Sequence, residues 1–128
     1  MTDFKTWSHE NLVKFAEEAY LALNRKQQMS YESVEIEVIR WAEARKIIPN
    51  AKPSTQLLKA FSEMGELADA EIKDNMPEIK DAVGDVLVCL INYCALKDIS
   101  LVQCLEGAYQ EIKDRKGTLM PNGVFIKQ

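Results

Sequence analysis

An all-α helical bundle of about five helices with a short C-terminal tail is the fold this sequence predicts, and three observations predict it. Apolar residues recur at three- and four-residue spacing through most of the chain. Helix breakers are few, Gly 5 and Pro 4 in 128 residues, and most fall between the periodic stretches. With 47% hydrophobic and 28% charged residues, the composition is that of a globular chain able to bury a real core in one domain, 1–128.

The elements follow in order. From about Ser8 to Gln28, Leu12, Phe15, Ala16, Ala19 and Leu23 keep helical spacing; Ser8 suits the N-cap, while Asp3 offers an earlier start. Ser30 precedes a second helix, Tyr31 to Lys46, in which Val34, Val38, Trp41 and Ala42 recur at three and four residues. Pro49 and Pro53 make the segment 47–53 a loop, and Ser54 then caps a helix from Thr55 to about Asp74. After the connector Asn75-Met76-Pro77, with Pro77 suited to a first turn, a fourth helix reaches Lys97. Ser100 caps the last helix, which ends near Lys116-Gly117. The tail carries the turn signal Pro121-Asn122-Gly123 between Leu119, Val124 and Ile126.

Composition excludes several functions. The net charge is -4, from 16 basic and 20 acidic residues, which argues against a nucleic-acid partner gripped through a basic face. No apolar run approaches the roughly 20 residues of a membrane span, so no membrane partner is expected, and the N-terminus lacks the pattern of a secretory signal. Three cysteines without CxxC spacing and a lone His9 disfavour a disulfide framework, a Cys/His zinc site and any triad chemistry. A cytoplasmic chain is expected, with its chemistry resting on carboxylates.

Those carboxylates sit where a core helix should have none. From Ala82 to Leu96 the fourth helix is apolar on almost all sides and reads as the buried centre of the fold, yet Asp85 lies inside it. A buried carboxylate needs a cation, a donor network or a proton. Glu78, Asp81, Asp85 and Asn92 fall within about 60° of one another on the helical wheel, one polar stripe on an apolar helix. On the preceding helix Glu63 and Glu66 lie one turn apart, and Leu57, Phe61, Met64, Ala68 and Ile72 form a separate apolar arc. The short connector makes the two helices an antiparallel pair, so acids from both converge. Ion pairs with Lys59, Lys73 or Lys80 would satisfy them. So would a hard divalent cation, Mg²⁺ with Mn²⁺ as substitute, partnered by substrate phosphates. A ferritin-like di-iron site would need Glu-x-x-His pairs, and the single histidine excludes it.

Lys113, Arg115 and Lys116 follow at the end of the last helix. Basic residues there are expected from the helix dipole alone, and they also suit phosphate oxygens. Trp41 keeps the apolar spacing of its helix, which suits core packing, and offers an indole face for a base.

Ser62-Glu63-Met64-Gly65-Glu66-Leu67, a short connector and Asp81-Ala82-Val83-Gly84-Asp85-Val86-Leu87 resemble the MazG-like nucleoside triphosphate pyrophosphohydrolases, with their EExxE and ExxD motifs. The runs 108–117 and 122–127 are similar to the ends of short, phage-type members, which would act in the host cytoplasm. The resemblance covers 30–128; residues 1–28, an extra N-terminal helix, lie outside it. Glu63 and Glu66 match the second and third acids of EExxE, and Asp85 matches the last of ExxD. Ser62 and Ala82 stand where the family has glutamates, and Asp81 is one position from the second of these.

The resemblance implies Mg²⁺-dependent hydrolysis of a (deoxy)nucleoside triphosphate to the monophosphate and pyrophosphate. Glu63, Glu66, Asp81 and Asp85 would be metal ligands, Glu78 the acceptor of the water's proton, and Lys113, Arg115, Lys116, Asn92 and Trp41 substrate contacts. It also implies a homodimer or homotetramer assembled like a four-helix bundle. A specialised dUTP, dCTP or phosphoribosyl-ATP pyrophosphatase is the alternative within that superfamily. A non-catalytic helical dimerisation or regulatory module is the alternative outside it.

Overall fold

The computed structural model describes residues 8–24 and 29–128, with the side chains of 21–24 left aside. Asp3 lies outside the described residues, as does the expected end of the first helix at Gln28. The chain divides into two compact units, 1–30 and 31–128. The first contains α1 (His9–Asn24), opened by Ser8, whose hydroxyl accepts from the Asn11 amide at 3.2 Å.

The second unit is helical apart from one hairpin: α2 (Tyr31–Ala44), α3 (Ile47–Asn50), α4 (Pro53–Ile72), α5 (Met76–Leu96), α6 (Leu101–Ile112), β1 (Gly117–Leu119) and β2 (Phe125–Lys127). Counting α1, the described residues hold six helices, an all-α fold with one helix more than the sequence predicts. The addition, α3, is a single distorted turn within the expected loop, and Ile48 and Pro49 depart from helical dihedrals. Among the described residues no helix is long and apolar enough to cross a membrane.

Local chemistry sets the ends of these helices. Ser54 does not cap α4: Lys52 is the N-cap without a side-chain bond, and Pro53 opens the helix, its fixed φ suited to the first position and its missing N–H no loss there. Asn75 caps α5, its side chain accepting from the Glu78 amide at 3.3 Å. The connectors α4–α5 and α5–α6 are built alike. Each has an aspartate in the left-handed region, Asp74 (φ 54) and Asp98 (φ 59). In each, the next amide closes back on the helix, Asn75 to the Ala70 carbonyl at 3.0 Å and Ile99 to that of Cys94 at 2.9 Å. Such tight closures fold α5 back antiparallel on α4, the pair at the centre of the unit.

Packing departs from the hydrophobic pattern. The inward face of α4 is Gln56, Ala60 and Ala70, with Glu63 and Leu67 half-buried. Small side chains allow close approach to α5 and leave the apolar arc of Leu57, Phe61, Met64, Ala68 and Ile72 facing outward. On α5, Ala82, Cys89, Ile91, Asn92 and Cys94 are buried, but Val83 and Leu87 are exposed, so this helix is not enclosed along its whole length. On α2 the buried positions are Glu35 and Ala42, seven apart, while Val34 and Trp41 are exposed.

The tail forms an antiparallel hairpin pairing Gly117 with Lys127 and Leu119 with Phe125. Its turn is Met120-Pro121-Asn122-Gly123, with Gly123 at φ 87 donating to the Met120 carbonyl at 2.9 Å. A Cβ at Gly117 would strike the Ile126 carbonyl oxygen and the Phe125 ring.

Candidate functional site

The antiparallel run of α4 against α5 sets opposite residues side by side in two concavities. The larger, about 520 Å³, is lined by Lys59 and Glu63 of α4, Asp85, Val88 and Cys89 of α5, and Glu37, Val38 and Trp41 of α2. The smaller, about 310 Å³, is lined by Glu66, Asp69 and Lys73 of α4 with Glu78, Asp81 and Ala82 of α5. Glu63 and Glu66, one turn apart, join the two.

Glu63 is the electrostatic centre. A hydrogen bond shared with the Glu66 carboxyl, reinforced by partial burial and by the negative charges of Glu66 and Asp85, raises its pKa above the usual carboxylate value. Lys59 offsets part of this from the same cleft. Glu63 Oε2 is buried and has no hydrogen-bond partner. Beneath it, burial pushes the Cys89 thiol up in pKa. Among the described residues the one ion pair is Arg40–Glu37 at 3.0 Å, so the alternative of site acids paired with Lys59, Lys73 or Lys80 is not formed there.

The structure thus brings together Glu63, Glu66 and Asp85, and places Glu78 and Asp81 beside Glu66 in the second concavity. Among the described residues no three acidic, cysteine or histidine side chains are gathered closely enough to hold a metal ion as they stand. The donors are nonetheless all carboxylate oxygens, one of them an orphan, and that set suits a hard divalent cation. Ala82, where the resembled family has a glutamate, is only 4% exposed.

Trp41 lies on the wall of the larger cleft with the Arg45 guanidinium 4.5 Å from its ring centroid. Asn92 does not reach either concavity: it is 2% exposed, and its Oδ1 has no partner. The basic run is displaced as well. Helix α6 ends at Ile112 with Lys113 as its C-cap, so Arg115 and Lys116 lie beyond the helix, and none of the three lines either concavity.

Glu35, not singled out in the sequence, holds a different position. It is 7% exposed, and its carboxylate accepts from Ser100 Oγ at 2.9 and 3.2 Å and from the Val102 amide at 3.2 Å. It thereby caps α6 from α2, beside Ser100, which accepts from the Gln103 amide at 3.2 Å. Its spacing of seven from Ala42 is the signal that marks it as inward-facing.

No known protein family matches the chain, and no solved structure does. One similar sequence among curated proteins is the "Uncharacterized 18.2 kDa protein in rep-hol intergenic region" of Haemophilus phage HP1 (strain HP1c1), 35% identical over 52 residues. That stretch is 41% of this chain, and it spans about a third of the relative's length, 32%.

Proposed function

We propose that the α4–α5 cleft binds a nucleoside triphosphate with Mg²⁺ and hydrolyses it to the monophosphate and pyrophosphate. The observation that carries this reading is Glu63: an orphaned buried oxygen, a pKa raised by the neighbouring Glu66 and Asp85 carboxyls, and no cation in ion-pair contact among the described residues. Glu63, Glu66, Asp81 and Asp85 would hold the metal, with Mn²⁺ as substitute. The bound ion supplies neutralisation of phosphate oxygens and acidification of a water. Trp41 offers an apolar wall for the base, and Lys59 adds a cation for the phosphate chain. Glu78, in the adjoining concavity with Asp81, takes the water's proton.

A homo-oligomer belongs to the same proposal. Leu58 and Phe61 are each 69% exposed on α4, beside the exposed Leu57 and Met64, an apolar face that a second copy would cover. Lys113, Arg115 and Lys116, away from their own chain's cleft, then hold the distal phosphates of a neighbour's substrate.

Incubating the chain with nucleoside and deoxynucleoside triphosphates plus Mg²⁺, and separating the products by ion exchange, tests the reaction. Monophosphate with pyrophosphate is the expected result, abolished in Asp85→Ala with helicity intact. Diphosphate with orthophosphate would place the cut at another bond. No turnover by folded protein would favour the helical dimerisation module, the reading that the buried Ala82 and the ungathered acids support.

A further inference from the structure

At the end of α5 away from the cleft acids, the α5–α6 connector joins the two turns that carry two of the three cysteines. Cys94 lies in the last turn of α5 and Cys104 in the first turn of α6. The closure of Ile99 N–H on the Cys94 carbonyl at 2.9 Å, and of Cys104 N–H on that of Ser100 at 3.0 Å, fixes both backbones. Across that connector Cys104 is close enough to Cys94 to act on its thiol. Their exposures are opposite. Cys94 is 6% exposed, whereas Cys104 is open to solvent. Cys104 also lines a concavity of about 540 Å³ with Ile39, Asp98, Ile99, Ser100 and Gln103, room for a small molecule to approach its sulfur. Cys89, five residues before Cys94, lines the other cleft instead.

We propose that Cys104 and Cys94 form a thiol–disulfide exchange site for a low-molecular-weight disulfide, with Cys104 the point of entry and Cys94 the resolving thiol. The Cys104 thiol gives its proton to solvent and its sulfur attacks the disulfide RSSR, forming Cys104–S–SR and releasing RS⁻, which takes a proton from solvent. The Cys94 sulfur gives up its proton to solvent and displaces the second RS⁻, leaving a Cys94–Cys104 bond. Two protein thiols are oxidised, and one RSSR is reduced to two RSH. Burial, with the neighbouring Cys104 and Glu35, raises the Cys94 pKa. The second step therefore quickens as pH rises, with Asp98 the other acid on that concavity. The bond would fasten the first turn of α6, which Glu35 caps, to the end of α5.

The test uses the full reduced chain, oxidised glutathione at about pH 8.5, where the resolving thiol ionises more readily, then acid quench, alkylation and peptide mass mapping. Tryptic cuts at Lys80 and Lys97 put Cys89 and Cys94 on one peptide and Cys104 on the next, so a bridge shows as two joined peptides, and a further chymotryptic cut after Tyr93 tells Cys94 from Cys89. The expected result is loss of two of the three reactive thiols, no retained glutathione, a Cys94–Cys104 link and a free Cys89. Cys94→Ala should keep glutathione on Cys104, and Cys104→Ser, at an exposed position, should leave Cys94 unreacted while circular dichroism shows the helices intact. A lasting glutathione adduct on Cys104 in the unsubstituted chain, a bridge through Cys89, or a bridge between two chains would each overturn the proposal.

Discussion

Replacing Glu35 with alanine is expected to cost more stability than any change to the acids of the cleft, because its carboxylate supports one helix from another. The substitution removes the acceptor for Ser100 Oγ at 2.9 and 3.2 Å and for the Val102 amide at 3.2 Å, in a side chain only 7% exposed. Losing a helix cap costs about 0.5–2 kcal/mol, and a buried donor left unsatisfied adds about 1–3 kcal/mol. The two overlap at the Val102 amide, so the sum falls at about 2–4 kcal/mol. In a domain of roughly 100 residues, each kcal/mol moves the melting midpoint by about 4–8 °C, so a drop of about 8–32 °C is expected. Glu35→Gln, which keeps one carbonyl acceptor, should lose about half as much. Thermal melts of Glu35→Ala, Ser100→Ala and the double variant form a cycle in which the effects should fall well short of adding. A midpoint within about 2 °C of the unsubstituted chain, or full additivity, would refute the reasoning.

Other outcomes follow from the same geometry. Glu63 has a raised pKa, so the stability it contributes is present in acid, below 4.5, and is lost as pH rises through its folded value. Glu63→Gln should therefore melt higher than the unsubstituted chain near neutral pH, with the gap closing in acid. A gap independent of pH would show that the shared Glu63–Glu66 proton is not its cause. Gly117→Ala places a methyl against the Ile126 carbonyl and the Phe125 ring, at a cost of about 1–3 kcal/mol; amides of the hairpin should exchange faster while those of α5 do not change. Phe61→Glu should lower the sedimentation coefficient if α4 faces a second copy, and an unchanged value would remove that face from the assembly.

What could be read from the sequence was chiefly local. Ser8, Asn75 and Ser100 cap the helices they were expected to cap or precede, and Pro121-Asn122-Gly123 makes its turn, because each depends on bonds within a few residues. Pro53 displaced Ser54 from the start of α4 because a proline at the first helical position needs no capped amide of its own. Glu63, Glu66 and Asp85 were legible as a group from spacing plus one antiparallel connector. Asn92 fell on the same stripe yet lies buried, since α5 is open near Asp85 and enclosed beyond it. Glu35 was overlooked because its partners are 65 and 67 residues away, and no spacing rule within a helix reaches that far. The α6 basic run was placed too far inside its helix, which stops at Ile112 before the hairpin begins.

The inward face of α4 inverts the usual expectation of which substitutions a helix will bear. Ala60 and Ala70, the least conspicuous residues on it, are buried against the rest of the unit, whereas Leu58, Phe61 and Ile72 project into open space. A methyl group added at Ala70 has nowhere to go and must push two helices apart, while a whole ring removed at Phe61 leaves the monomer's own packing intact. Within a single chain, Leu58, Phe61 and Ile72 should thus bear substitution better than Ala60 and Ala70. Any intolerance found at the large positions is then a measure of what lies outside the chain.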